Sequence, residues 1–175
     1  MKDKRASWVL PVSLSVAMVM ALAVRVGLVW ARLPDTVASH FGSGGEPDAF
    51  MNKVGFFVVM ALVGGGSVAL VFASPLLLRI TPRELISLPN RDYWLSSSER
   101  RSEATDRLAG VMAWIGAATT GLLVVATELT VQANLEQTNL DEATFLVFLV
   151  VYFAFVTVAV VRLFRMFRIP DLSVH

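Results

Sequence analysis

The chain has 175 residues, 55% hydrophobic and only 17% charged, with a net charge of +1 and no cysteine. Soluble domains carry roughly 45–50% apolar and about 25% charged residues, so an ordinary soluble domain is excluded, as are disulfide and thiolate chemistry. The net charge of +1 says nothing useful about partners; a lipid bilayer and another membrane protein are the expected ones, and no nucleic acid.

The apolar excess is gathered into four runs, about 8–30, 54–78, 109–131 and 144–164, and the first three contain just Arg25 and Glu128 as formal charges. A membrane-crossing helix needs about 20 mostly apolar residues. Lipid offers backbone groups no partners, so each run must be helical. The expected fold is an all-α integral membrane bundle of four transmembrane helices, forming a single membrane domain over 1–175. The first run resembles a signal peptide at Ala21-Leu22-Ala23, but it continues through Trp30, which suits a retained span.

Basic residues alternate between the connecting segments. The tail 1–7 has Lys2, Lys4 and Arg5, the segment 79–108 has six arginines, and the C-terminal end has Arg162, Arg165 and Arg168. The segment 31–53 has only Arg32 and Lys53, and 132–143 has none. Positive charge favours the cytoplasmic side. The reading is a multi-pass protein of the cell inner (cytoplasmic) membrane with both termini cytoplasmic, two outer loops at 31–53 and 132–143, and an inner loop at 79–108.

The first outer loop concentrates polar chemistry in Leu33-Pro34-Asp35 and Ser39-His40-Phe41, then Gly42-Ser43-Gly44-Gly45-Glu46-Pro47-Asp48. His40, Glu46 and Asp48 are the candidate ligands for a divalent metal, since imidazole and carboxylates suit such ions. One histidine with carboxylates is a thin set beside the four ligands of a structural zinc site. The competing reading gives these side chains to turns and helix caps. The glycines lack the following Lys-Ser/Thr of a phosphate-binding loop. No catalytic residues and no cofactor are assigned. With His40 and the terminal His175 as the only histidines, no nucleophile–base arrangement is visible.

Within the spans, Arg25 and Glu128 both lie near the outer ends of their helices. Charges in spans usually face the interior or pair, so an Arg25–Glu128 ion pair is one expectation and independent snorkelling to the interface the other. The small pairs Gly65/Ala69 and Ala117/Gly121 repeat at four-residue spacing, which lets helices approach closely, within the bundle or against another protein. Pro75 is expected to bend the second span. Phe145, Phe148, Tyr152 and Phe155 form an aromatic stripe on the fourth, facing lipid, protein or a pigment.

In the inner loop, Thr81-Pro82-Arg83-Glu84 suits a short helical turn. Ser96 and Glu99 have capping-box spacing, and Glu103 and Arg107 stand at i,i+4. Tyr93 and Trp94 are expected at headgroup level.

The two loops together resemble the membrane family called domain of unknown function 1648, which includes the N-terminal part of SdpI-type immunity proteins. The resemblance rests on Pro34, Asp35, His40, Phe41, Pro47, Asp48 and Lys53 in the outer loop. In the inner loop it rests on Leu88-Pro89-Asn90-Arg91-Asp92-Tyr93-Trp94-Leu95 followed by Glu99 and Arg100. It spans roughly residues 8–108. Ser96-Ser97-Ser98 departs from the shorter link the family often has there. The family implies no general reaction. SdpI-type proteins carry further spans and act in toxin immunity and signalling, so immunity is an expectation by resemblance alone. Together these features favour a non-enzymatic protein that acts by binding, as an accessory subunit of a larger membrane complex or as an immunity or signalling factor. The alternative is small-ligand or metal-ion sensing through the His40 loop.

Overall fold

The computed structural model describes residues 6–169. The basic residues Lys2, Lys4 and Arg5 of the expected cytoplasmic tail, and His175, lie outside the described residues. The elements run α1 (Ala6–Val29), β1 (Thr36–Phe41), β2 (Pro47–Asn52), α2 (Lys53–Ile80), α3 (Arg91–Trp94), α4 (Ser98–Glu136) and α5 (Glu142–Met166). Four of these helices, α1, α2, α4 and α5, are long and apolar enough to cross a membrane. The fold is an all-α membrane bundle carrying one small β-hairpin.

Helix α4 is the axis. α1, α2 and α5 each pack on it and make little contact with one another. Its small residues make this possible. A Cβ on Gly116 would come within 2.8 Å of the Phe72 ring of α2. Ala117 is buried, and Gly121 faces Met18 of α1. Close approach by small residues is how helices associate where lipid supplies no hydrophobic drive. On the α5 side, the Thr119 hydroxyl meets the Tyr152 hydroxyl at 3.2 Å. The aromatic stripe of α5 is thereby split: Tyr152 is half-buried against α4, while Phe148 and Phe155 remain exposed.

Gly65 and Ala69 do not pack in this bundle. Both are exposed, and Gly64 is the glycine buried against Leu123 of α4. The cause is a π-helical turn over Met60–Gly64. Its extra residue per turn rotates the face that follows it. Pro75 sits inside the helical segment Gly65–Ile80, which continues through it.

α4 has 39 residues, which at 1.5 Å per residue is about 58 Å, well beyond a hydrocarbon core of about 30 Å. It therefore reaches past the bilayer. Its start lies eleven residues earlier than the expected third span, inside the segment read as inner loop, and its end passes the expected limit by five. The reason is capping: Ser97, one residue after the expected Ser96, accepts the Arg100 N–H at 3.3 Å. Ser96 instead donates to the Tyr93 carbonyl. At the other end Gln137 adopts a left-handed conformation that stops the helix. The segment expected as the second outer loop thus shrinks to a few residues between α4 and α5.

The segment between α2 and α4 is folded around buried Trp94, which is 1% exposed. Its surroundings are therefore protein side chains rather than open lipid headgroups. Its ring packs with Leu78, Ile86, Leu95, Ala104 and Phe167. Its indole N–H donates to the Phe167 carbonyl at 2.9 Å, and the Asn90 amide donates to the same oxygen at 2.8 Å. Arg101 donates to the Leu78 and Thr81 carbonyls at the end of α2. Arg107 does the same for Met166 at the end of α5 and lies over the Trp94 ring. Helix C-terminal carbonyls lack internal partners and carry partial negative charge. Two arginines, an asparagine and an indole supply the missing donors and tie three helix ends together.

Candidate functional site: the hairpin end of the bundle

The segment expected to be an irregular loop is an antiparallel hairpin. β1 and β2 pair from Thr36↔Asn52 to Phe41↔Pro47, with a bulge either side of His40. Val37 and its neighbour Ala38 are both buried, while His40 is exposed. The turn Ser43–Gly45 places Gly44 at φ 76° and Gly45 at φ 73°, a region open mainly to glycine.

The hairpin is fastened at three places. At its base, Lys53 pairs with Asp35 at 3.0 Å and donates to the Leu33 carbonyl. Along β1, Asn134 of α4 acts as a one-residue third strand: its Oδ1 accepts the Ala38 N–H at 2.6 Å, and its Nδ2 donates to the Ala38 carbonyl at 3.0 Å. At the tip, Leu140 N–H donates to the Gly45 carbonyl at 2.9 Å, and Gly44 N–H to the Glu142 carboxylate at 3.0 Å. A Cβ on Gly45 would run into the Leu140 carbonyl. These contacts satisfy the β1 edge with α4 and leave β2 as the uncovered edge.

His40 Nδ1 meets Asp48 Oδ1 at 2.6 Å across the hairpin, both side chains being exposed. Glu46 does not join them; it contributes its backbone carbonyl to the Gly42 N–H. Among the described residues, no three His, Cys, Asp or Glu side chains are grouped to hold a metal ion. The pair bridges the two strands of the hairpin.

Beneath the hairpin, Arg25 Nε donates to Glu128 Oε1 at 3.2 Å, and the Gln132 amide donates to the same oxygen at 3.0 Å. The side chains are 39% and 27% exposed. Glu128 precedes Asn134 by six residues on α4, about 9 Å deeper along the helix. The two charged sites are separate: His40 uses Asp48, and Glu128 uses Arg25 and Gln132.

Several resemblance residues of the segment between α2 and α4 also have internal partners. Arg100 lies over the Tyr93 ring and donates to Ser96, while Glu99 accepts from the Ser98 hydroxyl. Asn90 takes a left-handed backbone at φ 53°, which starts α3. Asn134 escaped sequence reading: it stands among Glu128, Gln132 and Glu136 in the polar last turns of α4, and nothing in the sequence sets it apart from them.

A family model described as a domain of unknown function (DUF1648) matches residues 17–64. The match takes in the second half of α1, the whole hairpin and the start of α2. It is shorter than the 8–108 of the resemblance: the motif from Leu88 to Arg100 lies outside it, and no likeness to SdpI-type proteins is shown. No curated protein matches the chain, and no solved structure does. The chain is thus a membrane-type protein with a DUF1648 segment, and that segment contains the clamped hairpin between its first two spans.

Proposed function

We propose that this protein acts by binding another membrane protein rather than by catalysis, and that the hairpin is the recognition element. In this reading both termini are cytoplasmic, the membrane is the inner (cytoplasmic) one, and the hairpin faces outward. The observation that carries the proposal is the uncovered β2 edge. The strand from Pro47 to Asn52 is almost wholly exposed, with the Phe50 side chain 60% exposed. An exposed edge offers unpaired backbone groups to an extended segment of a partner, and an aromatic supplies the anchor. The three fastenings hold this edge still, which lowers the ordering cost of binding. Asp35, Lys53, Asn134 and Glu142 are engaged in these fastenings and His40 pairs with Asp48, which supports a binding role over a reactive one.

The test is site-specific photocrosslinking in intact membranes. A crosslinker in place of Phe50 gives one discrete heterologous adduct, and one in place of Arg100 at the opposite end does not yield it. Phe50→Asp removes stoichiometric co-purification of the same partner in mild detergent while leaving helicity unchanged. A Phe50 crosslinker that reacts only with lipid, combined with a chain that purifies alone, refutes the proposal.

A further inference from the structure

α1 and α2 both rest on α4 but hardly touch each other, which leaves an apolar groove between them of about 600 Å³. That volume is within the range of small-ligand pockets, about 300–1,000 Å³. The groove runs down from Trp30 and Phe57 at the hairpin end, between walls that include Gly27 of α1 and Gly65 of α2. The π-helical turn forms part of the α2 wall, a departure from regular helix that often accompanies function.

We propose that this groove seats one acyl chain of an anionic phospholipid from the leaflet on the hairpin side. The lining decides the chemistry of the tail. Its only hydroxyls, Thr120 and Thr127, donate to their own helix at Gly116 and Leu123. Apart from the Trp30 indole at the mouth, the rest of the lining is apolar side chains and glycines, so the occupant of the groove is hydrocarbon. The mouth decides the headgroup. Lys53 Nζ lies 5.3 Å from the centre of the Trp30 ring, with its side chain only 16% exposed. Its Asp35 partner is 97% exposed, so this carboxylate reaches the cation from the water side. A lipid phosphate arriving from that side replaces it without uncovering buried surface. Arg32, exposed on the turn between α1 and β1, adds a second cation at the same end. A chain in the groove and a phosphate at Lys53 match the vertical order of a phospholipid, tail inward and headgroup at the interface. This inference stands independently of the protein-binding role.

Native mass spectrometry of the full chain, with phosphatidylglycerol or phosphatidylcholine of identical chains, tests it. The expected result is one retained phosphatidylglycerol per chain, favoured over phosphatidylcholine by about fivefold, the preference one surface cation confers. Lys53→Gln lowers the preference to what Arg32 alone supplies and keeps the adduct. Gly27→Leu with Gly65→Leu abolishes the adduct itself; a Cβ at either glycine meets nothing within 4 Å, so both fill the groove without a backbone clash. Ala23→Phe repeats the block from α1 should the glycine variants fail to fold. The proposal is overturned if no adduct survives in the unaltered chain or if the filled variants retain it. Equal retention of both lipids also overturns it, as does a dimer that falls apart when the groove is filled.

Discussion

Gly44 and Gly45 are neighbours in one turn with nearly the same positive φ, yet they differ in what surrounds them. A side chain at Gly44 meets open space, whereas one at Gly45 collides with the Leu140 carbonyl. Gly44→Ala carries only the left-handed backbone cost, about 1–2 kcal/mol. Gly45→Ala adds the collision and breaks the Leu140–Gly45 hydrogen bond, so it should unlatch the hairpin tip. Limited proteolysis at the hairpin distinguishes the two: rapid cleavage in Gly45→Ala and near-normal resistance in Gly44→Ala. Both glycines stood out in the sequence as turn formers. The difference between them did not, because it depends on a residue ninety-five positions away.

Asp141 caps α5 by accepting from the Thr144 hydroxyl and N–H at 2.6 and 2.9 Å. The Thr144 hydroxyl, followed by its amide, holds the Asp141 carboxyl below the usual carboxylate range. Because folding lowers this pKa, the stabilisation is full above the ordinary aspartate range and is lost as pH falls through the lowered value. Thermal unfolding in detergent should lose stability on acidification through that window. Asp141→Asn should be less stable at neutral pH and lack this component of the decline. A decline identical in the variant assigns the acid sensitivity elsewhere.

At the scale of elements, apolar length alone located all four crossing helices, because a lipid solvent leaves few alternatives. Their limits were harder to read. Gln132, Asn134 and Glu136 looked like loop residues, and Asn134 proves to be the clamp of the hairpin. The hairpin itself was hidden: Thr36 to Phe41 is short, and its partner strand begins with Pro-Asp, so pattern and propensity together favour a loop. Tyr93 and Trp94 suggested headgroup contacts by residue type, and the protein cover over Trp94 was not legible because it comes from Phe167, 73 residues away. Gly116 offers the sharpest test of the packing these elements share. Gly116→Ala forces its Cβ against Phe72, and overpacking of this kind typically costs about 1–3 kcal/mol. Phe72→Leu in the same chain should restore most of that loss, which a double-mutant cycle in detergent unfolding measures. Additive effects of the two substitutions would mean that α2 and α4 do not meet at this point.

For the whole molecule, the asymmetry of the two ends carries the argument. Among the described residues, the hairpin end holds Arg32 and Lys53 near the span ends. The opposite end holds Arg79, Arg83, Arg91, Arg100, Arg101, Arg107, Arg162, Arg165 and Arg168. Several of these do more than set orientation. Arg101 and Arg107 close helix ends, so the charge that would keep this face cytoplasmic also organises it. The two roles separate experimentally because the chain has no cysteine. Single cysteines at Ser43, in the hairpin turn, and at Ser98, at the start of α4, both replace exposed residues. A membrane-impermeant maleimide applied to intact cells should label Ser43→Cys directly and Ser98→Cys only after permeabilisation. The reverse pattern would turn the hairpin toward the cytoplasm. The β2 edge and the lipid groove would then serve the inner leaflet, and the arginine face would need a structural explanation alone.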